Sequence, residues 1–198
     1  MFYYISIVVS FDTIKASQVQ GTNSNNRGLG LQDFYRTVSE RGVARDIQFR
    51  IIQLGDSKFN NEDLIYIRTG SIPNREIMTD AVHFRGFKFN VPLTVSYPGS
   101  EGWDIEILMD RDYKIYDKLY EWHKSYFDES TLTGNNIPDG SNIIELVAVN
   151  DTLDIAKRIK LYGCFPTKLG DIKYNVGGTG TAISINMTIA YQYWTPSK

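Results

Sequence analysis

Apolar and polar positions alternate with period two through most of the chain after residue 46, which is the pattern of strands with one buried face. Ile47, Phe49 and Ile51 alternate with Gln48 and Arg50 and predict a first strand. Leu64–Arg68 predicts a second, closed by the turn-forming run Gly70-Ser71-Ile72-Pro73-Asn74. Phe84, Phe87 and Phe89 predict a third, bent at Gly86. Trp103, Ile105 and Ile107 alternate with Asp104 and Glu106 in a fourth, introduced by Tyr97-Pro98-Gly99-Ser100. Asn142–Val149, Arg158–Phe165 and Ala182–Trp194 complete the set. The last carries Ile183, Ile185, Met187, Ile189, Tyr191 and Tyr193 on one face, with Ser184, Asn186, Thr188, Ala190 and Gln192 on the other. It is roughly twice the usual strand length, as expected of a sheet that continues between subunits.

One segment changes period. Between Arg111 and Phe127, Ile115, Leu119, Trp122 and Tyr126 are spaced four, three and four apart, which predicts a helix with one apolar stripe capped by Asp110 or Asp112. Leu31–Gly42 fits a short helix ended by Gly42 or an irregular arm. The polar run Asp128–Ser141 reads as a long loop. Phe2–Phe11 is apolar and strand-like, without the basic flank or cleavage site of a signal peptide. Residues 12–31, rich in Asn, Ser and Gly, read as a linker. The expectation is a mainly β (α+β) chain: residues 1–31 an N-terminal extension, and residues 32–198 a β-sandwich or barrel of six or seven strands with one flanking α-helix.

Charge narrows the function. Lys and Arg total 21 against 23 Asp and Glu, a net charge of -2, which argues against gripping nucleic acid by phosphate neutralisation. With 13 Tyr and 10 Phe the chain is rich in residues that suit β-surfaces and interfaces. Cys164 is the single cysteine, so no intrachain disulfide forms, in keeping with a reducing compartment. No apolar run approaches a membrane span.

Candidate chemistry is sparse, and the expectation is no catalytic, cofactor or metal site. His83 and His123 lie outside metal-ligand spacing of each other and of Cys164, and both read as packing residues. Cys164, beside Phe165 and Pro166, reads as a small buried hydrophobe. Gly177-Gly178-Thr179-Gly180-Thr181 lacks the Lys of a phosphate-binding loop and precedes a strand, so it reads as a hairpin tip. Asp104 and Glu106 form the outward face of a strand, while Asp110 and Asp112 sit at a helix start. Two non-enzyme classes remain: a self-assembling structural subunit, and a monomeric β-barrel that binds a ligand through its aromatics.

Two blocks carry a resemblance. Gly163-Cys164-Phe165-Pro166-Thr167-Lys168-Leu169-Gly170-Asp171-Ile172, followed by a closing strand that ends Tyr191-Gln192-Tyr193-Trp194, resembles the C-terminal half of contractile-tailed phage tail tube proteins. Trp103–Asp110 leading into the helix through Trp122, and Phe34-Tyr35-Arg36 through Ile51, are similar to the same family upstream. The resemblance covers about residues 32–195; residues 1–30 have no counterpart in the family's short form. It implies a virion protein made in the host bacterial cytoplasm, which forms hexameric rings around a continuous β-barrel. The rings would stack, through the arm 1–45 and loops near Ile72–Val82 and Asp128–Ser141, inside a sheath into a channel for the genome. The implied partners are further copies of the chain, the sheath, the baseplate or tube initiator, the terminator, the tape-measure protein and unspecifically held DNA. A tube-initiator paralogue, or a tube subunit of a bacterial contractile injection system, would share the fold.

Overall fold

A computed structural model describes residues 31–55, 58–134, 138 and 140–197; the predicted strand-like segment Phe2–Phe11 and most of the linker lie outside them. The chain divides into two units, residues 1–44 and 45–198. In the first, α1 (Leu31–Arg41) is helical and Gly42, with φ +72°, closes it by donating its N–H to Val38 O at 2.8 Å.

The second unit contains β1 (Phe49–Gly55), the single turn α2 (Asn61–Leu64), β2 (Ile67–Thr69), β3 (Glu76–Phe84), β4 (Phe87–Ser96), β5 (Trp103–Leu108) and α3 (Lys114–Lys124). It continues with β6 (Phe127–Asp128), β7 (Thr133–Gly134), β8 (Ile143–Val149), β9 (Ile155–Tyr162), β10 (Phe165–Leu169), β11 (Ser184–Ala190) and β12 (Tyr193–Ser197). Two four-stranded antiparallel sheets form, ordered β1-β8-β9-β12 and β10-β11-β5-β2. Their inner faces share one core: Ile51, Leu54, Ile144, Leu146, Ile159 and Leu161 from the first, Trp103, Ile105, Ile107, Ile185, Met187 and Ile189 from the second. The fold is mainly β, as expected.

The flanking helix α3 buries the predicted stripe, Ile115, Leu119 and Trp122, in that core. Its start is held by Asp110, whose Oδ2 accepts from Lys114 N–H at 3.2 Å and Oδ1 from Ile115 N–H at 3.1 Å. Tyr113, just before the helix, takes a left-handed φ of +58°. Tyr126 lies past the helix end but still packs on the core.

Five expectations are corrected. Ala182–Trp194 is not one strand: β11 ends at Ala190 in the second sheet, and β12 starts at Tyr193 in the first. Arg158–Phe165 is broken likewise, into β9 and β10. The two breaks lie side by side. Gly163 has φ +64°, and Gln192 N–H donates to Tyr162 O at 2.9 Å, so the paired ribbon bends and passes from one sheet to the other. The third strand is in fact two: Arg85 (φ +48°) and Gly86 (φ +86°) form a tight turn between β3 and β4, where a bend had been expected. Leu64–Arg68 begins as the turn α2, leaving only Ile67–Thr69 extended. Within the expected loop 128–141, the short β6–β7 ladder forms.

Candidate assembly surface

The groups singled out for chemistry are not brought together. Cys164 is fully buried, and burial pushes its thiol up to about 12, so it is not a nucleophile at neutral pH. His123 is half-buried on α3, and His83 is exposed on β3, where it packs against no core; that expectation for His83 is corrected. Asp104 does face outward and accepts from the Thr188 hydroxyl at 2.6 Å. Gly177–Thr181 belongs to the exposed connection between β10 and β11. Among the described residues no three His, Cys, Asp or Glu side chains cluster as metal ligands. No helix among them is long and apolar enough to cross a membrane.

The surface that stands out overlaps the segment Ile72–Val82, expected as a stacking loop but in a strand from Glu76 on. The hairpin β3–β4 pairs nine residues with ten and is exposed along almost its whole length on both faces. At about 3.3 Å per residue it reaches roughly 30 Å. The register places Met78, Val82 and Phe84 of β3 on the same face as Phe87, Phe89 and Val91 of β4. The three phenylalanines are 61%, 69% and 54% exposed, values normally seen only where a partner is missing. The opposite face presents Thr79, His83, Lys88 and Asn90 toward the tip and Ile77 and Val95 toward the base, while Asp80 interrupts the phenylalanine-bearing face. The tip of the hairpin is thus amphipathic, without a core of its own. Its base is held by indole hydrogen bonds: Trp103 Nε1–H to Ser71 O at 3.0 Å and Trp194 Nε1–H to Asn74 O at 3.1 Å.

Elsewhere in this unit, β1 forms one edge of the first sheet and β2 one edge of the second. Among the described residues, neither outer edge has a strand partner. A cleft of about 720 Å³ lies along β1, lined by Phe49, Ile52, Leu64, Ile65 and Ile67 together with the polar Arg50 and Asn61. Ile52 is the extra residue of a bulge in β1, and its side chain lines this cleft.

The outer face of the first sheet is electrostatically knit. Glu145, only 5% exposed, receives Arg158 at 2.9 Å and Lys160 at 3.3 Å from the neighbouring strand. On the opposite flank, Asp63 bonds Lys118 at 2.6 Å. Burial acts to raise the Asp63 carboxyl, but the Lys118 ammonium and the Asn60 N–H outweigh it and hold the group below 3.8.

No family model matches the sequence. No curated protein matches it. Solved structures do match. The tube-terminating cap of the anti-feeding prophage aligns with a TM-score of 0.56 at 13% identity, over 78% of this chain and 91% of that one. The sheath/tube terminator of the extracellular contractile injection system PVC, in the extended state, aligns at 0.54 and 13%, over 79% and 97%. A chain of the PVC sheath–tube complex in the extended state aligns at 0.53 and 12%, over 82% and 96%. The fold of this chain is therefore that of the tube and tube-terminating proteins of contractile tails and injection systems.

Proposed function

We propose that this chain is a structural subunit of the inner tube of a contractile tail or injection system, working as hexameric rings that stack into a channel. The carrying observation is the β3–β4 hairpin, whose phenylalanine-bearing face is left exposed by the described residues of its own unit. A second copy is the natural cover, because a head-to-tail contact repeated around a ring closes on itself, and repeated along an axis gives a tube. The sheath and a terminator are the expected partners, by analogy with the assemblies that hold the similar structures, and a baseplate component follows from the sequence resemblance alone. The role is mechanical, with no substrate turned over. A net charge of -2 suits a channel that conducts DNA or protein cargo without holding it. Residues 1–31 are read as an arm that strengthens stacking, on a domain spanning 32–198.

Negative-stain microscopy and light scattering of the purified chain test this. Six-membered rings and tubes are expected, and a monomer at every concentration would overturn the reading. A second reading has specific support, since a tube-terminating cap and a sheath/tube terminator are among the similar structures. A terminator subunit would give single rings that never elongate, and the same micrographs separate the two. Phage tail and bacterial injection system are told apart by the neighbouring genes: capsid and packaging genes beside this one support the first.

A further inference from the structure

The turn between β8 and β9 holds strain that its own domain does not use. Asn150-Asp151-Thr152-Leu153-Asp154 forms a tight loop, closed by Asn150 N–H to Asp154 O at 2.9 Å and Leu153 N–H to Asn150 O at 3.0 Å. Such loops put their last residue in the left-handed region, where glycine is the usual occupant. Here it is Leu153, at φ +65° and 63% exposed. That conformation costs stability in any residue with a Cβ, and an exposed leucine regains little of it by burial. The loop is also rigid. Asn150 Oδ1 accepts from the N–H groups of Thr152 and Asp154 at 3.0 and 2.8 Å, and Gln48 Nε2–H donates to Asp151 Oδ1 at 2.5 Å. Leu153 is thus held out on a fixed platform between two strands of the core. Leu132 shares the conformation, but on the β6–β7 ladder, whose residues are all exposed. Strain kept at an exposed point on a rigid platform points to a contact made there.

We infer that Leu153 is a docking knob that enters the β1 cleft of a second copy of this chain. This rests on the self-assembly reading and names a contact which that reading leaves open. Charge selects the occupant. The turn carries Asp151 and Asp154 and no basic residue, while the cleft sets Arg50 among Phe49, Ile52 and Ile65. A leucine flanked by two carboxylates is complementary to apolar side chains that stand beside one guanidinium. Ile47 and Ile155, 77% and 49% exposed, adjoin the turn and widen its apolar patch. Knob and cleft are different surfaces of one domain, so the contact runs head to tail and can repeat from copy to copy.

Substitution at the knob separates a docking role from a folding role. Leu153→Asn keeps the turn, because asparagine tolerates a left-handed backbone, and removes the apolar side chain. Its thermal midpoint, measured at a concentration where the chain is monomeric, should equal or exceed the native one. Light scattering at higher concentration should show the assembled fraction lowered at least tenfold. Leu153→Met keeps the apolar bulk and should assemble. A charge exchange identifies the receptor. Arg50→Glu and Asp154→Arg should each assemble poorly alone and recover when mixed, since every turn then finds a cleft of complementary charge. Normal rings or tubes from Leu153→Asn would overturn the inference and leave the tube reading standing. A lowered midpoint in that variant would make Leu153 a structural residue and overturn it as well. Failure of the mixture to recover removes the β1 cleft as receptor, and the inference with it. If the native chain stays monomeric at every concentration, both readings fail together.

Discussion

Cys164 shows how far a single residue's role follows from its surroundings. It sits where the ribbon bends between the two sheets, with its N–H donated to Asn142 O at 3.0 Å and its thiol shut off from water. Burial raises the thiol from 9.0 to about 12. The sign follows directly: an acid whose folded value is raised gives stability that is whole below its unfolded value and lost as pH climbs toward the folded one. Between pH 8 and pH 11 the loss from this group is about 2–3 kcal/mol. The check is urea unfolding of the native chain and of Cys164→Ala at both pH values, where the alanine variant should show a smaller decline. Beside it, Gly163 is fixed by geometry. A Cβ there would meet Gln192 Cγ at 2.6 Å, on a backbone already at φ +64°. Gly163→Val should therefore cost about 2–4 kcal/mol, from overpacking together with a left-handed β-branched residue. An unchanged denaturant midpoint would show that the ribbon does not need its bend at this residue.

At the scale of elements, sequence and structure agree where one face of a segment meets the core. β5, β8 and α3 were legible because Trp103, Ile105 and Ile107, the apolar run of β8, and the Ile115–Leu119–Trp122 stripe all point at the same interior. The corner was not legible. Ile185, Met187, Ile189, Tyr191 and Tyr193 alternate in the sequence straight through the bend, but in β12 it is Trp194, register partner of buried Leu161, that faces the core, while Tyr193 is 45% exposed. Alternation cannot report a corner at which the inward parity shifts by one residue, because an aromatic stands at both Tyr193 and Trp194. The hairpin was missed for the opposite reason. It has no core, so its strongest signal was a cluster of phenylalanines, and the turn residue Gly86 looked like a kink within one strand. The assembly surface was therefore legible only as a segment, residues 72–82, expected to be a loop that touches neighbours. Two substitutions test the elements that were read correctly. Asp110→Ala removes the side chain that accepts two amides at the start of α3 and should cost about 1 kcal/mol in thermal or urea unfolding. Ile189→Asp places a carboxylate at a fully buried position opposite Trp103 and should leave no folded protein. Soluble protein with native circular dichroism would show that β11 does not face the core.

For the whole molecule, stability and assembly are carried by different parts, and this separation can be tested in one variant. The barrel's core is drawn from both sheets and α3; no residue of β3 or β4 belongs to it. The hairpin instead exposes apolar side chains that a folded monomer gains nothing by keeping, and that threaten solubility unless a partner covers them. Thr79 and Pro92 are register partners, so residues 80–91 can be removed and the ends joined by a two-residue Asn-Gly turn without disturbing the base of the hairpin. The shortened chain should unfold within about 0.5 kcal/mol of the full one, because the deleted side chains contact no core residue. It should also be more soluble, and it should sediment as a monomer at concentrations where the full chain forms rings. Loss of stability along with assembly would mean that the hairpin supports the barrel it springs from. Rings of normal size would mean that assembly runs through other surfaces, and the apolar face of β3–β4 would then need a different cover.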